Sequence, residues 1–127
     1  MPDQKIKLSD LQLMIMKVLW KHRSLSVSET HSLLNQKKPM ALTTVATLLK
    51  RLQEKDIINA EKQGRKLVYF PLVSESDVKN SMLGNMLQHL FNGKPAELVH
   101  HLVDNDEISE KDLNKIRQIL AQEKEND

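Results

Sequence analysis

Residues 43–52 read Thr43-Thr44-Val45-Ala46-Thr47-Leu48-Leu49-Lys50-Arg51-Leu52, and residues 63–70 read Gln63-Gly64-Arg65-Lys66-Leu67-Val68-Tyr69-Phe70. In the first stretch Val45, Leu48, Leu49 and Leu52 recur at helical spacing and form one apolar stripe. The spacing predicts a helix from about Thr43 to Lys55. Thr43, Thr44, Ala46, Thr47, Lys50 and Arg51 are left on or near its open face. The second stretch, with Ile57-Ile58-Asn59-Ala60-Glu61 before it, predicts two short strands, the second over Leu67–Leu72. Lys62 to Lys66 form the tip of this hairpin, where Gly64 supplies a permissive backbone. A helix that presents short donors and acceptors, beside a hairpin tipped with cations, suits a DNA groove and its flanking phosphates. Thr hydroxyls donate or accept at base edges, and their methyls meet the thymine methyl. Thr44 and Thr47, one turn apart, are the expected base readers. Thr43 stands near the helix start, where it can cap the helix or bond a phosphate, and Ala46 leaves room for close approach. Lys50, Arg51, Arg65 and Lys66 are the expected phosphate holders.

Toward the N-terminus, Ser9 suits the N-cap of a first helix reaching about His22. Its apolar positions are Leu11, Met14, Ile15, Val18 and Leu19, with Trp20 packing against the next element. Ser26 or Ser28 caps a second helix from Glu29 to about Asn35, anchored by Leu33 and Leu34. Gln36-Lys37-Lys38-Pro39 is a turn, because proline disfavours a helical residue before it. Three helices, the second and third joined by a short turn, followed by a two- or three-stranded β-wing, make a winged helix-turn-helix. Residues 1–73 form this expected domain.

Residues 74–127 read as helical again, so the chain is mainly α. Val78, Met82, Met86, Leu87, Leu90 and Phe91 mark a helix from about Glu75 that ends at Asn92-Gly93. Pro95 suits the first turn of a helix carrying Leu98, Val99, Leu102 and Val103. Ser109-Glu110-Lys111-Asp112 resembles a capping box and opens a last helix with Leu113, Ile116, Ile119 and Leu120. Gln122 to Asp127 are expected to fray. Three short amphipathic helices trailing from a small domain bury little apolar surface alone. They are expected to pair with a second copy through Met82, Met86, Leu90, Leu98, Leu102, Leu113, Ile116 and Leu120.

Composition sets the limits. The chain has 127 residues, 39% of them hydrophobic, and four aromatics, so Leu, Ile, Val and Met must build the core. It has no cysteine, which excludes disulfides, a thiol nucleophile and a Cys-type zinc site. The net charge of +2 hides an asymmetry. Residues 1–73 hold 13 Lys and Arg against 6 Asp and Glu, whereas residues 74–127 hold 6 against 11. A basic first half suits a polyanion, and an acidic second half would be repelled by one. No apolar run reaches membrane-spanning length, and Met1–Lys7 leads into none long enough for a signal peptide. There is no glycine-rich phosphate loop, no Gly-x-Ser-x-Gly and no His-Glu-x-x-His, so no enzyme activity and no cofactor are expected. His100-His101, with Glu97, can place a carboxylate and an imidazole on one helix face. Adjacent imidazoles point apart and one chain falls short of a ligand set, so no metal is assigned. His22, His31 and His89 are isolated and receive no role.

The order of elements carries a resemblance. The segment Thr44–Leu52, the wing Gly64-Arg65-Lys66-Leu67-Val68-Tyr69, and the later Phe91-Asn92-Gly93 and Asn105-Asp106 resemble the penicillinase-repressor family, the BlaI/MecI/CopY-type winged-helix repressors. The resemblance runs from about Leu8 to Leu120. It implies a homodimer with N-terminal DNA-binding domains and a helical C-terminal dimerisation region. It implies a pseudo-palindromic double-stranded DNA operator, repression by blocking transcription of resistance or stress-response genes, and a bacterial cytoplasmic location. In β-lactam-responsive members a membrane sensor, a metallopeptidase pathway, leads to cleavage of an Asn-Phe bond in the dimerisation region. Here Leu98-Val99-His100-His101-Leu102-Val103 carries His101-Leu102 at that place. The copper-responsive members use a C-terminal cysteine motif that this chain lacks, so the signal stays open. The rival expectation is a winged-helix protein-interaction module without sequence-specific DNA binding, its basic face meeting an acidic partner.

Overall fold

Two serines nucleate the first two helices. The Oγ of Ser9 accepts from the Gln12 N–H at 3.2 Å, and the Ser9 N–H donates back to Gln12 Oε1 at 3.0 Å. This reciprocal box opens α1, Asp10–His22. Ser26 and Glu29 repeat it at 3.1 and 2.8 Å and open α2, Val27–Asn35. Ser26 is therefore the cap, and α2 starts earlier than its apolar pattern alone suggests. The computed structural model describes residues 6–125.

Next come α3, Leu42–Glu54, and the antiparallel strands β2, Ile58–Gln63, and β3, Lys66–Pro71. A strand that the sequence did not announce, β1 at Leu25–Ser26, pairs Leu25 with Tyr69 and Ser26 with Val68. The sheet order is β1-β3-β2, so the wing has three strands. Two residues are too few for an alternating pattern to register. α3 ends with Asp56 at φ 60°, where the Ile57 N–H reaches the Leu52 carbonyl at 3.0 Å and the Asp56 N–H reaches Gln53 at 3.0 Å. This left-handed cap turns the chain directly from α3 into the wing.

The core lies among these elements. Ile15, Met16 and Leu19 from α1, Leu34 from α2, and Val45, Leu48, Leu49 and Leu52 from α3 are buried with Ile57, Ile58 and Tyr69. Thr30 is fully buried and its hydroxyl donates to the Ser26 carbonyl at 2.8 Å, which removes the cost of an unpaired polar group. Trp20 does not stop at the neighbouring element. Its Nε1–H donates to the Val73 carbonyl at 2.9 Å and ties the end of α1 to the segment leaving the wing.

α4 spans Glu75–Leu90. Compact packing of the first unit runs on through Leu83, past the 73/74 boundary expected from sequence. Val78 is buried in the winged-helix core, and Met82 packs partly against it. Ser81 Oγ accepts from the Ile6 N–H at 2.8 Å and holds the N-terminal segment on the same surface.

A second compact unit begins at Gly84 and contains α5, Pro95–Asp104, and α6, Glu110–Glu125. Pro95 opens α5 as expected, and Ser109 and Asp112 bond each other's N–H at 3.1 Å before α6. α6 is still helical at Glu125, within the stretch expected to fray; residues 126–127 lie outside the described residues, as does most of Met1–Lys7. Among the described residues, no helix is long and apolar enough to cross a membrane.

Candidate nucleic-acid interface

α3 turns its two faces to different environments. Val45, Leu48, Leu49 and Leu52 are buried, while Thr43, Thr44, Thr47, Lys50 and Arg51 are exposed and Ala46 is half-buried. Thr43, Thr44, Thr47, Leu48 and Arg51 line a shallow open depression on that outer face. Thr47 Oγ1 donates to the Thr43 carbonyl at 2.9 Å. Its proton is thereby engaged, so the hydroxyl offers lone pairs outward and its methyl lies beside them.

The start of α3 differs from those of α1 and α2. Its N-cap is Ala41, which has no side-chain acceptor for the first-turn N–H groups. Thr43 sits inside the first turn and makes no cap, which corrects one of its two expected roles; its carbonyl instead receives Thr47. The uncapped N–H groups and the positive end of the helix dipole favour an anion. The turn before Ala41 is held from α2. His31 Nε2 lies 2.7 Å from the Met40 carbonyl oxygen, and Asn35 Oδ1 accepts from the Met40 N–H at 3.1 Å. Neither residue stands out in the sequence as part of the site. Their spacing of one helical turn, just before Pro39-Met40, is the signal that could have found them.

In the wing, Gln63 pairs with Lys66, so Gly64-Arg65 alone make the hairpin turn. Gly64 takes φ +65° at its first central position, which a two-residue turn of this type reserves for glycine. Arg65 is exposed at the tip and has no ion-pair partner among the described residues. Lys66 faces another way. Its Nζ lies 3.5 Å from Glu29 Oε2 on α2. Glu29 is held below the ordinary carboxylate range first by the Ser26 N–H, then by the Ser26 hydroxyl and by Lys66. Both side chains are largely exposed, so solvent screens this pair and leaves Lys66 exchangeable.

The histidine pair in α5 is split between other partners. His100 Nδ1 lies 3.2 Å from Asp104 Oδ2, and His101 meets Phe91 edge-on with centroids 5.9 Å apart. Glu97 accepts from Asn92 Nδ2 at 3.4 Å. Met86, Leu98, Leu102 and Leu113 of the expected dimer set are half-buried, while Leu90, Ile116 and Leu120 are exposed.

A helix-turn-helix with a hydroxyl- and cation-bearing outer face, followed by a wing with arginine at its tip, defines a winged-helix DNA-binding protein. The sequence pattern of the Penicillinase repressor family matches residues 8–122, and the chain belongs to that family of DNA-binding repressors. It is 34% identical over 118 residues to the penicillinase repressor of Bacillus licheniformis, spanning 93% of this chain and 92% of that one. It is 25% identical over 120 residues to the methicillin resistance regulatory protein MecI of Staphylococcus aureus (strain N315), spanning 94% and 98%. Its fold is similar to the DNA-binding domain of the repressor BlaI in solution, with TM-score 0.53 and 38% identity over 58% of this chain and 90% of that chain. It is equally similar to the monomeric form of Bacillus licheniformis BlaI in complex with the blaP half-operator, with TM-score 0.52 and 38% identity over the same shares, 58% and 90%.

Proposed function

We propose that this repressor acts as a homodimer on a pseudo-palindromic operator, with α3 in the major groove and the wing on the flanking backbone. The observation that carries the reading is the outer face of α3, where Thr44, Thr47 and Arg51 stand exposed around one depression while the opposite face is wholly buried. Thr44 and Thr47 read base edges. With its proton engaged by Thr43, Thr47 accepts from an adenine or cytosine amino group and sets its methyl against a thymine methyl. Ala46 allows close approach, Thr43 and the uncapped first turn of α3 take a phosphate, and Lys50, Arg51 and Arg65 hold others. Lys66 leaves Glu29 for the backbone when DNA arrives. The complex of the Bacillus licheniformis relative with the blaP half-operator supports operator binding.

The apolar stripes of α5 and α6 supply the dimer, through Leu98, Leu102, Leu113, Ile116 and Leu120, with Met86 and Leu90 from the end of α4. Met82, committed in part to the winged-helix core, contributes least. The setting is the bacterial cytoplasm, and His101-Leu102 at the place of the Asn-Phe bond leaves the signal for derepression open. The test is selection of bound duplexes from a random pool, followed by salt titration of the winner. An inverted repeat with half-sites about one helical turn apart and a steep salt slope is expected. No consensus, with weak binding lost at moderate salt, would overturn the reading in favour of a protein-docking module.

A further inference from the structure

We propose that His31 and Asn35 are positioning residues for DNA recognition, clamping both backbone polar groups of Met40 and so setting how α3 leaves the turn. The inference rests on α3 being the reading helix. The two side chains stand one turn apart on α2 and converge on a single residue. Asn35 Oδ1 accepts the Met40 N–H at 3.1 Å, and His31 Nε2 reaches the Met40 carbonyl oxygen at 2.7 Å. A carbonyl has no proton to give, so His31 is the donor and carries its hydrogen on Nε2. The Met40 side chain is packed partly against the core, which gives a third point of attachment.

The clamp stands where the helix has no cap of its own. α1 and α2 are fixed at their starts by reciprocal boxes, but Ala41 offers α3 no side-chain bond. The Ala41 carbonyl, next in the chain after the clamped peptide, accepts from the Thr44 and Val45 N–H groups at 3.1 and 3.2 Å. Any swing of Met40 is therefore passed to the first turn of α3 and to Thr43 and Thr44. Base readout depends on hydrogen bonds of short reach and strict direction. Phosphate attraction by Lys50, Arg51 and Arg65 is long-ranged and tolerates a displaced helix. Loss of the clamp lowers preference for the right sequence far more than it lowers attraction to any duplex.

The experiment measures affinity by fluorescence anisotropy for the duplex selected by wild-type protein and for a scrambled duplex of equal length. His31→Ala and Asn35→Ala are each expected to lower the ratio of the two affinities about five- to tenfold, the worth of one net hydrogen bond. Binding to the scrambled duplex should stay within about twofold. His31→Gln keeps a donor and Asn35→Asp keeps an acceptor, and both should recover most of the ratio. The double alanine variant should lose less than the product of the single losses, since both bonds hold one residue. Faster exchange of the Met40 amide in Asn35→Ala, read without DNA, checks the bond itself. An unchanged ratio in both alanine variants, or equal losses on both duplexes, would overturn the clamp while leaving the reading of α3 in place. A wild-type protein that binds both duplexes alike would overturn both.

Discussion

The two compact units put apolar side chains to opposite uses. In the first, residues from α1, α2, α3, the strands and the opening of α4 close over one another, and Ile15, Leu19, Val45, Leu49 and Leu52 have no exposed surface. In the second, among the described residues, no hydrophobic side chain is buried, and Leu90 and Leu120 are 70% and 58% exposed. The charge runs in parallel with this division: the basic excess lies with the closed core and the acidic excess with the open stripes. A unit that completes its own core can present a rigid polar face to a ligand. A unit that leaves leucine and isoleucine in water gains by meeting its own copy, where apolar area is withdrawn from solvent at about 25 cal/mol per Å².

The sharpest break of this comparison is one leucine removed from each unit. Leu49→Ala leaves a cavity inside the first unit and should cost about 2–5 kcal/mol of stability, seen as a large drop in the melting temperature of that transition. Leu120→Ala should change the melt of dilute, monomeric protein by less than about 0.5 kcal/mol, because the side chain is already in water. Equal losses at both positions would show that the second unit has a closed core after all.

The next effect belongs to assembly. Ile116→Glu combined with Leu120→Glu places two charges in the exposed stripe of α6. Sedimentation at micromolar concentration should report a dimer for wild type and a monomer for the variant. Affinity for a two-half-site duplex should fall about a hundredfold, with the single half-site unaffected, because the second contact is no longer tethered. A variant that still sediments as a dimer would place the pairing surface elsewhere.

Within the first unit, the face of α3 and the tip of the wing divide recognition from attraction. Thr47→Ala should lose about 1–3 kcal/mol of preference for the selected duplex while keeping its salt slope. Arg65→Ala should weaken all duplexes alike and reduce that slope by about one unit. Identical behaviour of the two variants on specific and random DNA would remove the distinction.

How much of this could be read in advance depended on the range of the interactions. The stripe Val45-Leu48-Leu49-Leu52 is local and periodic, and all four residues are buried as the spacing required. The capping serines and Gly64 were legible because their chemistry acts within three residues. Contacts between distant segments left no such trace. β1 is recognisable only beside β3, and the Lys66–Glu29 pair joins the wing to α2 across the fold. Gln12 and Thr30 are buried although polar, because each finds its bond within a turn of its own helix. The His31–Met40 bond needs the turn to be built before the ring has anything to meet.

The smallest expected effect compares the two units through their helix caps. Glu29 at the start of α2 and Asp112 at the start of α6 are both held below the ordinary carboxylate range, each chiefly by the N–H of a serine, Ser26 and Ser109. A carboxylate whose folded pKa is depressed adds stability above its unfolded pKa. That stability is lost as pH falls through the folded value. Both caps should therefore be complete at neutral pH and weaken as pH falls from the ordinary carboxylate range through the lowered folded value. Glu29→Gln can still accept the Ser26 N–H but carries no charge to protonate, so it should flatten the acid limb of the first unit's stability curve. Asp112→Asn should do the same for the helicity of α6. The consequences differ because Glu29 also faces Lys66. Glu29→Gln frees that lysine and should slightly strengthen binding to all DNA at low salt, whereas Asp112→Asn should leave DNA binding untouched. If Glu29→Gln left low-salt DNA affinity unchanged, Lys66 would have no part in holding the backbone, and the wing's contribution would rest on Arg65.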